Sequence, residues 1–327
     1  MKNTIIFSGS NNPYYNLALE KLLLCSRIDG NIIYLWQNRD TVVIGRNQNP
    51  WKECNLEQMN RDGVLLARRS SGGGAVFHDL QNLNFTFLSS IEGHDVPKQM
   101  EVIRQAVKSL GVDVELNGRN DLIVSENKCK FSGNAFQQTT VNALHHGTIL
   151  IDVDVKKVAQ YLTPSKLKLE SKGIKSVASR ICNLKTMNGS INVESMKAAL
   201  IKSFISLYGS AQTQTKSIDM ELLAEYQAEY SSWEWRIGES PKYNVSFEER
   251  FLWGEVEILF DVKNGYIVDV HVFSDALNQE VVAQIAPSLI GCVFQSKAIS
   301  TNLLRLGYAE TNDLAQWMKN KDLELSN

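Results

Sequence analysis

The residues whose types could do chemistry are densest in the segment RRSSGGGAVFHD, Arg68–Asp79, which holds three consecutive glycines. Glycine has no Cβ and reaches positive φ freely, so successive glycine amides can turn toward an anion. Arg69 offers a planar set of donors for phosphate or carboxylate, and the apolar residues Ala75 to Phe77 could wall a purine or an acyl chain. This pattern favours a phosphate-contact loop, although an isolated glycine triplet is equally compatible with a hairpin that binds nothing.

A second polar segment, Asn117 to Ala135, is predicted to be a hairpin whose arms carry polar residues where a buried strand would carry apolar ones. Asp121 could hold a metal-bound phosphate or orient a lysine. Lys130 could contact a carboxylate and an α-phosphate together. A solvated hairpin with an Asp–Lys pair is the alternative, and these residues alone leave the choice open.

Two adjacent histidines, His145 and His146, enter a third strand-like segment. Successive side chains of a strand point to opposite faces, so only one of the two can face a site, which disfavours a zinc centre with two histidine ligands. Trp36 and Arg46 end two further predicted strands beside the glycine loop. For these two residues the sequence alone favours a core aromatic and a surface charge.

The predicted elements place this chemistry on a sheet. Strands 64–67 and 83–87 bracket the loop, and strands 32–36 and 41–46 are expected to pair antiparallel across a polar turn. Asn12 and Pro13 predict the start of a helix. Further helices are predicted over 97–110, 193–207, 219–229, 281–289 and 299–304, and a hairpin turn is predicted at Asn264-Gly265.

Length predicts two domains, one larger than the other, because 327 residues exceed a comfortable single core. We expect the larger domain over residues 1–245 and a small α+β domain over 246–327. A net charge of −2 gives no support to a nucleic-acid partner. No segment has the pattern of a leader or a membrane span, so we expect a cytoplasmic protein. The five cysteines have no paired spacing and are expected to be reduced thiols.

The segment from Lys156 to Lys175 is rich in lysine. Such a run is most often a solvated face, and its functional alternative is a mobile basic loop that covers a phosphate ligand or meets an acidic protein.

Taken together, these motifs resemble the lipoate-protein ligase A family, which belongs with the biotin and lipoate protein ligases. The resemblance rests on motifs in the family's order and spacing: LWQNRDTVVIGRNQNPWKECN, LARRSSGGGAVFHDLQNLNFTF, GRNDLIV, KFSGNAF, HHGTIL, GIKSVASRICNL and SSWEWRIG. It implies an α+β fold, in which a large mixed-sheet catalytic domain of the biotin and lipoate ligase type is followed by a small C-terminal domain that moves between two half-reactions. It also implies a substrate, lipoate with octanoate as an alternative, and the cofactors ATP and Mg²⁺. The implied partners are lipoyl domains of 2-oxoacid dehydrogenase E2 subunits and the glycine cleavage H protein, and a monomer is expected.

Carried over residue by residue, the family's catalytic lysine falls on Lys130, which contacts both lipoate and phosphate. The other positions form two groups. The implied adenylate contacts are Arg69, Gly74, Ala75, Val76, Phe77 and, with Mg²⁺ on the ATP phosphates, Asp121. The implied lipoate contacts besides Lys130 are Trp36, Ser71 and His146.

Three positions depart from the family pattern. Gln81 stands where relatives commonly have glycine, Gln137 where some have an arginine near the ligand, and Cys182 where a hydroxyl residue is usual. Cys182 is predicted to be a packing residue whose replacement of the hydroxyl group has no functional effect.

Rival functions remain open at this point. A transferase that uses preformed lipoyl-AMP would keep the same loop and lysine. A thioester route through Cys129 is disfavoured, since a regular strand would turn that thiol away from Lys130. A biotin ligase lacks support because its arginine-glycine loop is absent, and a non-catalytic sensor would be expected to lose the lysine.

Overall fold

The computed structural model describes residues 3–118, 121–162, 181–213, 219–236, 245–263 and 265–321. The strands in chain order are β1 (Asn3–Phe7), β2 (Asn31–Trp36), β3 (Thr41–Ile44), β4 (Leu65–Arg68), β5 (Val76–His78), β6 (Asn82–Ser90), β7 (Val114–Asn117), β8 (Asp121–Val124), β9 (Lys130–Gln138), β10 (Asn142–Leu150), β11 (Ala211–Thr213), β12 (Val245–Phe251), β13 (Gly254–Lys263) and β14 (Tyr266–Ser274). The α-helices are α1 (Pro13–Cys25), α2 (Pro50–Glu53), α3 (Leu56–Asp62), α4 (Val96–Ser109), α5 (Val155–Tyr161), α6 (Leu184–Met187), α7 (Val193–Tyr208), α8 (Met220–Ser231), α9 (Trp233–Arg236), α10 (Gln279–Leu289), α11 (Ser296–Leu304) and α12 (Ala309–Lys319).

A large mixed sheet has the strand order β11-β1-β2-β6-β10-β9-β8-β7. Strand β1 pairs in parallel with β11 and β2, and the other neighbours are antiparallel. Successive side chains of a strand point to opposite faces of the sheet, and in these strands the side chains on both faces are apolar. Helices therefore cover both faces. Ile33 and Leu35 belong to the cluster that includes residues of α4 and α7, whereas Tyr34 and Trp36 belong to the cluster that includes residues of α1 and α8. The predicted mixed α+β fold class is confirmed.

A smaller sheet, β4-β3-β5, carries the glycine loop between β4 and β5. The predicted antiparallel pairing of β2 with β3 is wrong. Strand β2 has β1 on one edge and β6 on the other, while β3 pairs with β4 in parallel and with β5 antiparallel. The connecting turn carries the chain between the sheets, and its buried Asn38 hydrogen-bonds Asn16 of α1.

The predicted helices are present in the structure, although the helices predicted over 281–289 and 299–304 begin two and three residues earlier, at Gln279 and Ser296. The Asn12 side chain accepts a hydrogen bond from the Tyr14 amide, and Pro13 occupies the first turn of α1. Helix α12 was not predicted, and the turn residue Asn264 lies outside the described residues, as do the lysines of the basic run beyond Tyr161. None of the described helices is both long and apolar enough to cross a membrane.

The C-terminal domain is an antiparallel meander, β12-β13-β14, with helices α10 to α12. Its own apolar cluster includes Ile258, Phe260, Ile285 and Leu314. The domain boundary at 245/246 remains a prediction.

Candidate functional site

The glycine loop is braced from inside by Arg69. The buried guanidinium donates from Nη2 to the carbonyls of Gly72 (2.7 Å) and Gly74 (2.8 Å), and from Nε to the Ser71 hydroxyl (3.1 Å). Burial lowers the pKa of Arg69 to about 10, so the group stays charged at neutral pH. Arg69 therefore holds the loop's shape here, and its predicted contact to phosphate stays a prediction.

Glycine is required at the two loop positions that contact the C-terminal domain, Gly72 and Gly73. A Cβ on Gly72 would lie 2.2 Å from the Ala276 carbonyl oxygen, which excludes any side chain without a backbone shift. Gly73 has φ of +95°, in the left-handed region, and its amide donates to the same carbonyl at 3.2 Å. Gly74 is different, because a Cβ there would meet nothing within 4 Å.

A short strap, helix α9, anchors the base of the loop. The indole Nε1 of Trp235 donates to the Arg68 carbonyl at 2.8 Å, and Arg68 in return donates to the carbonyls of Trp235 and Arg236. Arg46 is exposed but is not a bare surface charge, since its guanidinium lies 4.2 Å from the centre of the Trp235 ring.

Lys130 stands at the first position of β9, next to a register shift in the pairing of β8 with β9. Its Nζ lies 2.7 Å from Asp121 Oδ1, and both side chains are about one-third exposed. The side chain folds over Gly133, where a Cβ would lie 2.8 Å from Nζ. The predicted Asp–Lys pair therefore exists, and its lysine lines a cavity rather than an open hairpin.

A cavity of about 130 Å³ joins the loop to Lys130. Its lining includes most of the residues predicted for the site: Trp36, Arg69, Gly74, Ala75, Val76, Lys130 and His146. Phe77 is an exception, because alternation along β5 turns its ring away to pack 5.6 Å from Tyr161. The Phe77 side chain is therefore absent from the lining of this cavity. An interaction through its backbone remains a prediction. Asp121 and Ser71 lie just behind this surface, in contact with Lys130 and His146 respectively.

A buried polar network underlies one wall of the cavity. His146 Nδ1 lies 2.8 Å from Glu20 Oε1, and Nε2 lies 2.6 Å from the Ser71 hydroxyl. An ionised carboxylate only accepts hydrogen bonds, so Nδ1 is the donor. Glu20 also accepts from the Thr86 hydroxyl at 2.6 Å, and Thr86 accepts from the Trp36 indole at 3.0 Å. The network thus fixes Trp36, His146 and Ser71 relative to one another.

Two further polar groups of the cavity lining have spare hydrogen-bonding capacity. The Asn38 amide donates to His78 Nδ1 at 3.1 Å, which leaves the proton of the neutral ring on Nε2. Burial, reinforced by Arg69 and His146, lowers the pKa of His78 to about 3, so the ring is neutral at neutral pH. Neither His78 Nε2 nor Asn84 Nδ2 has a hydrogen-bond partner within the described part of the chain.

The two adjacent histidines divide as predicted. His146 lines the cavity, whereas His145 is buried on the other face, between Gln99 and Asn134. Burial lowers the pKa of His145 well below its usual range. Within the ranges that the structure describes, no group of three or more His, Cys, Asp or Glu side chains could hold a metal ion.

Sequence reasoning missed Glu20, His78, Asn84 and Thr86. A signal for three of them was present. Asn16 and Glu20 are four apart in a leucine-rich helix and so share one face, and Asn82, Asn84 and Thr86 alternate along a strand whose intervening residues are apolar. Buried polar side chains at regular spacing are unusual and mark a polar wall.

Comparison with known proteins identifies the family and the fold of the chain. A model described as the lipoyl protein ligase A/B catalytic domain matches residues 12–205, and one described as the bacterial lipoate protein ligase C-terminus matches 240–321. A relative from Psychrobacter cryohalolentis, lipoate-protein ligase A, is 39% identical over 97% of this chain and 98% of its own length.

Solved structures agree. P. falciparum LipL1, determined in complex with lipoate, is 30% identical with a TM-score of 0.86, over 98% of this chain and 100% of that one. A bi-partite lipoate protein ligase from Thermoplasma acidophilum, described with its E2 lipoyl domain, is 25% identical with a TM-score of 0.67, over 75% of this chain and 100% of its own. Fold and site together define a ligase of the biotin and lipoate class. The chain belongs to the lipoate-protein ligase A family.

Proposed function

We propose that this enzyme uses ATP to convert lipoate into lipoyl-AMP and then transfers the lipoyl group to a lysine of a lipoyl domain. The observation that carries the proposal is that Lys130, which is partly exposed, and the glycine loop line one and the same cavity. A carboxylate held by Lys130 would lie beside a phosphate held by loop amides, as adenylation requires.

In the first half-reaction, a lipoate carboxylate oxygen attacks the α-phosphorus of ATP, and the bond to the pyrophosphate oxygen breaks. The acid is already ionised at neutral pH, so no general base is needed. Positive charge is needed where the crowded phosphorus gains negative charge. Lys130 supplies it after exchanging its ion pair with Asp121 for the substrate. Mg²⁺ would travel on the ATP phosphates, where Asp121 could add one ligand and the metal would neutralise phosphate charge.

The acyl tail would occupy the cavity beneath Lys130. Leu17, Val43 and Val76 contribute apolar lining, and each buried methylene contributes about 0.8 kcal/mol. Trp36 and His146, fixed by the network with Glu20, would set the shape of the wall against the chain. Octanoate would fill the same apolar space, so the preference between the two acids is left to measurement.

In the second half-reaction, a neutral lysine amine of the carrier attacks the carbonyl carbon of lipoyl-AMP, and the C–O bond to AMP breaks. The departing phosphate or Asp121 would take the proton. LipL1 was determined with lipoate, and the archaeal ligase was described with an E2 lipoyl domain; both support the proposed substrates. Lipoyl domains of 2-oxoacid dehydrogenases and the glycine cleavage H protein are the proposed acceptors.

The test follows both half-reactions in one sample. Pyrophosphate release is measured with ATP alone, with lipoate alone and with both, and an apo lipoyl domain is then added and weighed by mass spectrometry. Release that requires both substrates, followed by a lipoyl-sized mass gain, is the expected result. No release, but a mass gain when lipoyl-AMP is supplied, would instead identify a transferase without adenylation activity.

A further inference from the structure

One wall of the cavity is a row of residues that crosses the large sheet. Trp36 pairs with Asn84, and Asn84 pairs on its other side with Thr148. The Thr148 hydroxyl accepts a hydrogen bond from the Gly133 amide at 3.3 Å, which continues the row to β9, the strand of Lys130. All five residues line the cavity. The row therefore has Lys130 at one end and Trp36 with Asn84 at the other.

The length of this row matches that of an eight-carbon acid. Asn84 and Gly133 lie two strands apart in the sheet, and neighbouring strands are spaced by about 4.8 Å, so about 10 Å separates these residues. The Lys130 side chain folds over Gly133, so its ammonium group marks the carboxylate end of the row. An extended chain of seven carbon–carbon bonds, each of about 1.5 Å, spans about 9 Å. The last carbons of a bound acid would therefore reach Asn84.

His78 adds an N–H donor at this far end of the row, where its ring centre lies 6.2 Å from that of Trp36. A chain of hydrogen bonds fixes which ring nitrogen carries the proton. Asn16 Nδ2 donates to the Gln37 carbonyl and to Asn38 Oδ1, in each case at 2.9 Å. The nitrogen of the Asn38 amide therefore faces His78 and donates to Nδ1 at 3.1 Å. Because Nδ1 accepts, the proton of the neutral ring lies on Nε2.

Asn84 supplies a second donor beside the first. Its Oδ1 accepts from Asn82 Nδ2 at 2.9 Å, which leaves the Asn84 Nδ2 protons for another acceptor. His78 is only 2% exposed and Asn84 only 1%, and neither His78 Nε2 nor Asn84 Nδ2 has a hydrogen-bond partner among the described residues. Buried donors without partners lower stability, so two of them at one end of a ligand cavity indicate an acceptor that arrives with the ligand.

We propose that His78 and Asn84 donate hydrogen bonds to a heteroatom at the far end of the bound acid, and so discriminate against acids that end in a methyl group. Lipoate carries sulfur on its sixth and eighth carbons, and divalent sulfur is a weak acceptor. Octanoate ends in a methyl group, which displaces water from the two donors without replacing its hydrogen bonds. The orientation of the acid, with its carboxylate at Lys130, rests on the proposed function.

The test compares the affinities of octanoate, lipoate and 8-hydroxyoctanoate for the full-length protein, by isothermal titration calorimetry without ATP. 8-Hydroxyoctanoate adds one oxygen to the eighth carbon and no ring, so it separates hydrogen bonding from bulk. Wild-type protein should bind lipoate and 8-hydroxyoctanoate more tightly than octanoate, by about twofold to tenfold for each hydrogen bond gained. Octanoate that binds as tightly as 8-hydroxyoctanoate would overturn the proposal.

Variants assign the preference to the two donors. Asn84→Leu nearly keeps the size of the side chain and removes its donor, so both affinity ratios to octanoate should fall by about twofold to tenfold. His78→Leu should act in the same way, whereas His78→Gln retains a donor and should retain part of the preference. Thr148→Val is the matched control, because it removes a hydroxyl group from the middle of the same row and should leave the ratios unchanged. Ratios that stay at wild-type values in both leucine variants would overturn the assignment.

Pyrophosphate release with ATP, measured on the same samples, separates this inference from the proposed function. The values of kcat/KM should follow the order of the affinities. Binding in the expected order without any pyrophosphate release would refute the proposed adenylation and leave the role of His78 and Asn84 intact. Release with equal kcat/KM for lipoate and octanoate would support the adenylation and refute the discrimination.

Discussion

The cavity wall and the core of the C-terminal domain are both buried, but they are built from different chemistry. The cavity wall buries Glu20, Thr86 and His146 in one hydrogen-bonded network. The C-terminal core is an apolar cluster in which Phe260 and Leu314 are fully buried. Buried polar groups lower stability unless each is paired, whereas buried apolar groups raise it directly.

This difference separates the two roles. The C-terminal core can be accounted for by folding alone. The cavity wall would be more stable as an apolar core, so its polar groups point to a function that needs fixed donors and acceptors. Substitutions in the two regions should therefore change different quantities, and four predictions test this.

The largest expected effect is on rate. Lys130→Ala should lower lipoate-dependent pyrophosphate release by about a hundredfold to a thousandfold, since one positioned charge at the transition state is removed. Because the side chain is partly exposed, the urea midpoint should change little. Lys128→Ala is the matched control, as that lysine pairs with Glu115 on the exposed face, and its rate should stay near wild type. Equal rates for the two variants would remove Lys130 from the mechanism.

In the C-terminal core the effect should be on stability. Leu314→Ala should lower the free energy of unfolding by about 2–5 kcal/mol, because it leaves a cavity in a closely packed cluster. The rate of pyrophosphate release, measured well below the melting temperature, should remain close to wild type. Leu304→Ala, at an exposed position of α11, is the control for stability. A loss of rate in Leu314→Ala without a loss of stability would contradict the division of roles.

Glu20→Gln should lower both quantities. The change keeps the shape of the side chain but weakens its bonds to His146 and Thr86, at about 1–3 kcal/mol for a buried polar group left poorly paired. Pyrophosphate release should fall because Trp36 and His146 are no longer fixed. Glu229→Gln, in the half-exposed pair with Lys21, should cost less than about 1 kcal/mol and leave the rate unchanged. An unaffected rate in Glu20→Gln would show that the network contributes to stability and not to the reaction.

The smallest expected effect is on the pH dependence of stability. His78 has a pKa of about 3 when folded and 6.5 in its ordinary state, so the unfolded chain binds the proton first as pH falls. Stability contributed by the neutral ring is complete above about pH 6.5 and is lost on acidification toward about pH 3, at up to about 1.4 kcal/mol per pH unit. The free energy of unfolding is measured by urea titration at about pH 7 and at about pH 5.5. Its decrease between the two pH values should be about 1 kcal/mol smaller in His78→Gln than in wild type. The same difference in both proteins would refute the assignment.

The parts that the sequence predicted are those with distinctive residue types. The glycine triplet, Lys130 and the alternation of His145 with His146 were all apparent, since few other roles require those residues at that spacing. Glu20 was missed because it lies within a leucine-rich segment. That pattern predicts a helix but does not indicate which side chains Glu20 contacts in the folded protein. The predicted pairing of β2 with β3 was wrong because strands that are adjacent in sequence usually form a hairpin. In the structure both edges of β2 are already occupied, by β1 and β6, which leaves no edge for β3.

The most direct test of the account is detection of the acyl adenylate itself. Wild-type protein is mixed with ATP and lipoate without any acceptor domain, quenched in acid and analysed by mass spectrometry for lipoyl-AMP. The account predicts an adenylate close to stoichiometric with the protein that disappears when an apo lipoyl domain is added, and none in Lys130→Ala. ATP left intact by wild-type protein, together with lipoylation from supplied lipoyl-AMP, would contradict the claim that this cavity activates lipoate.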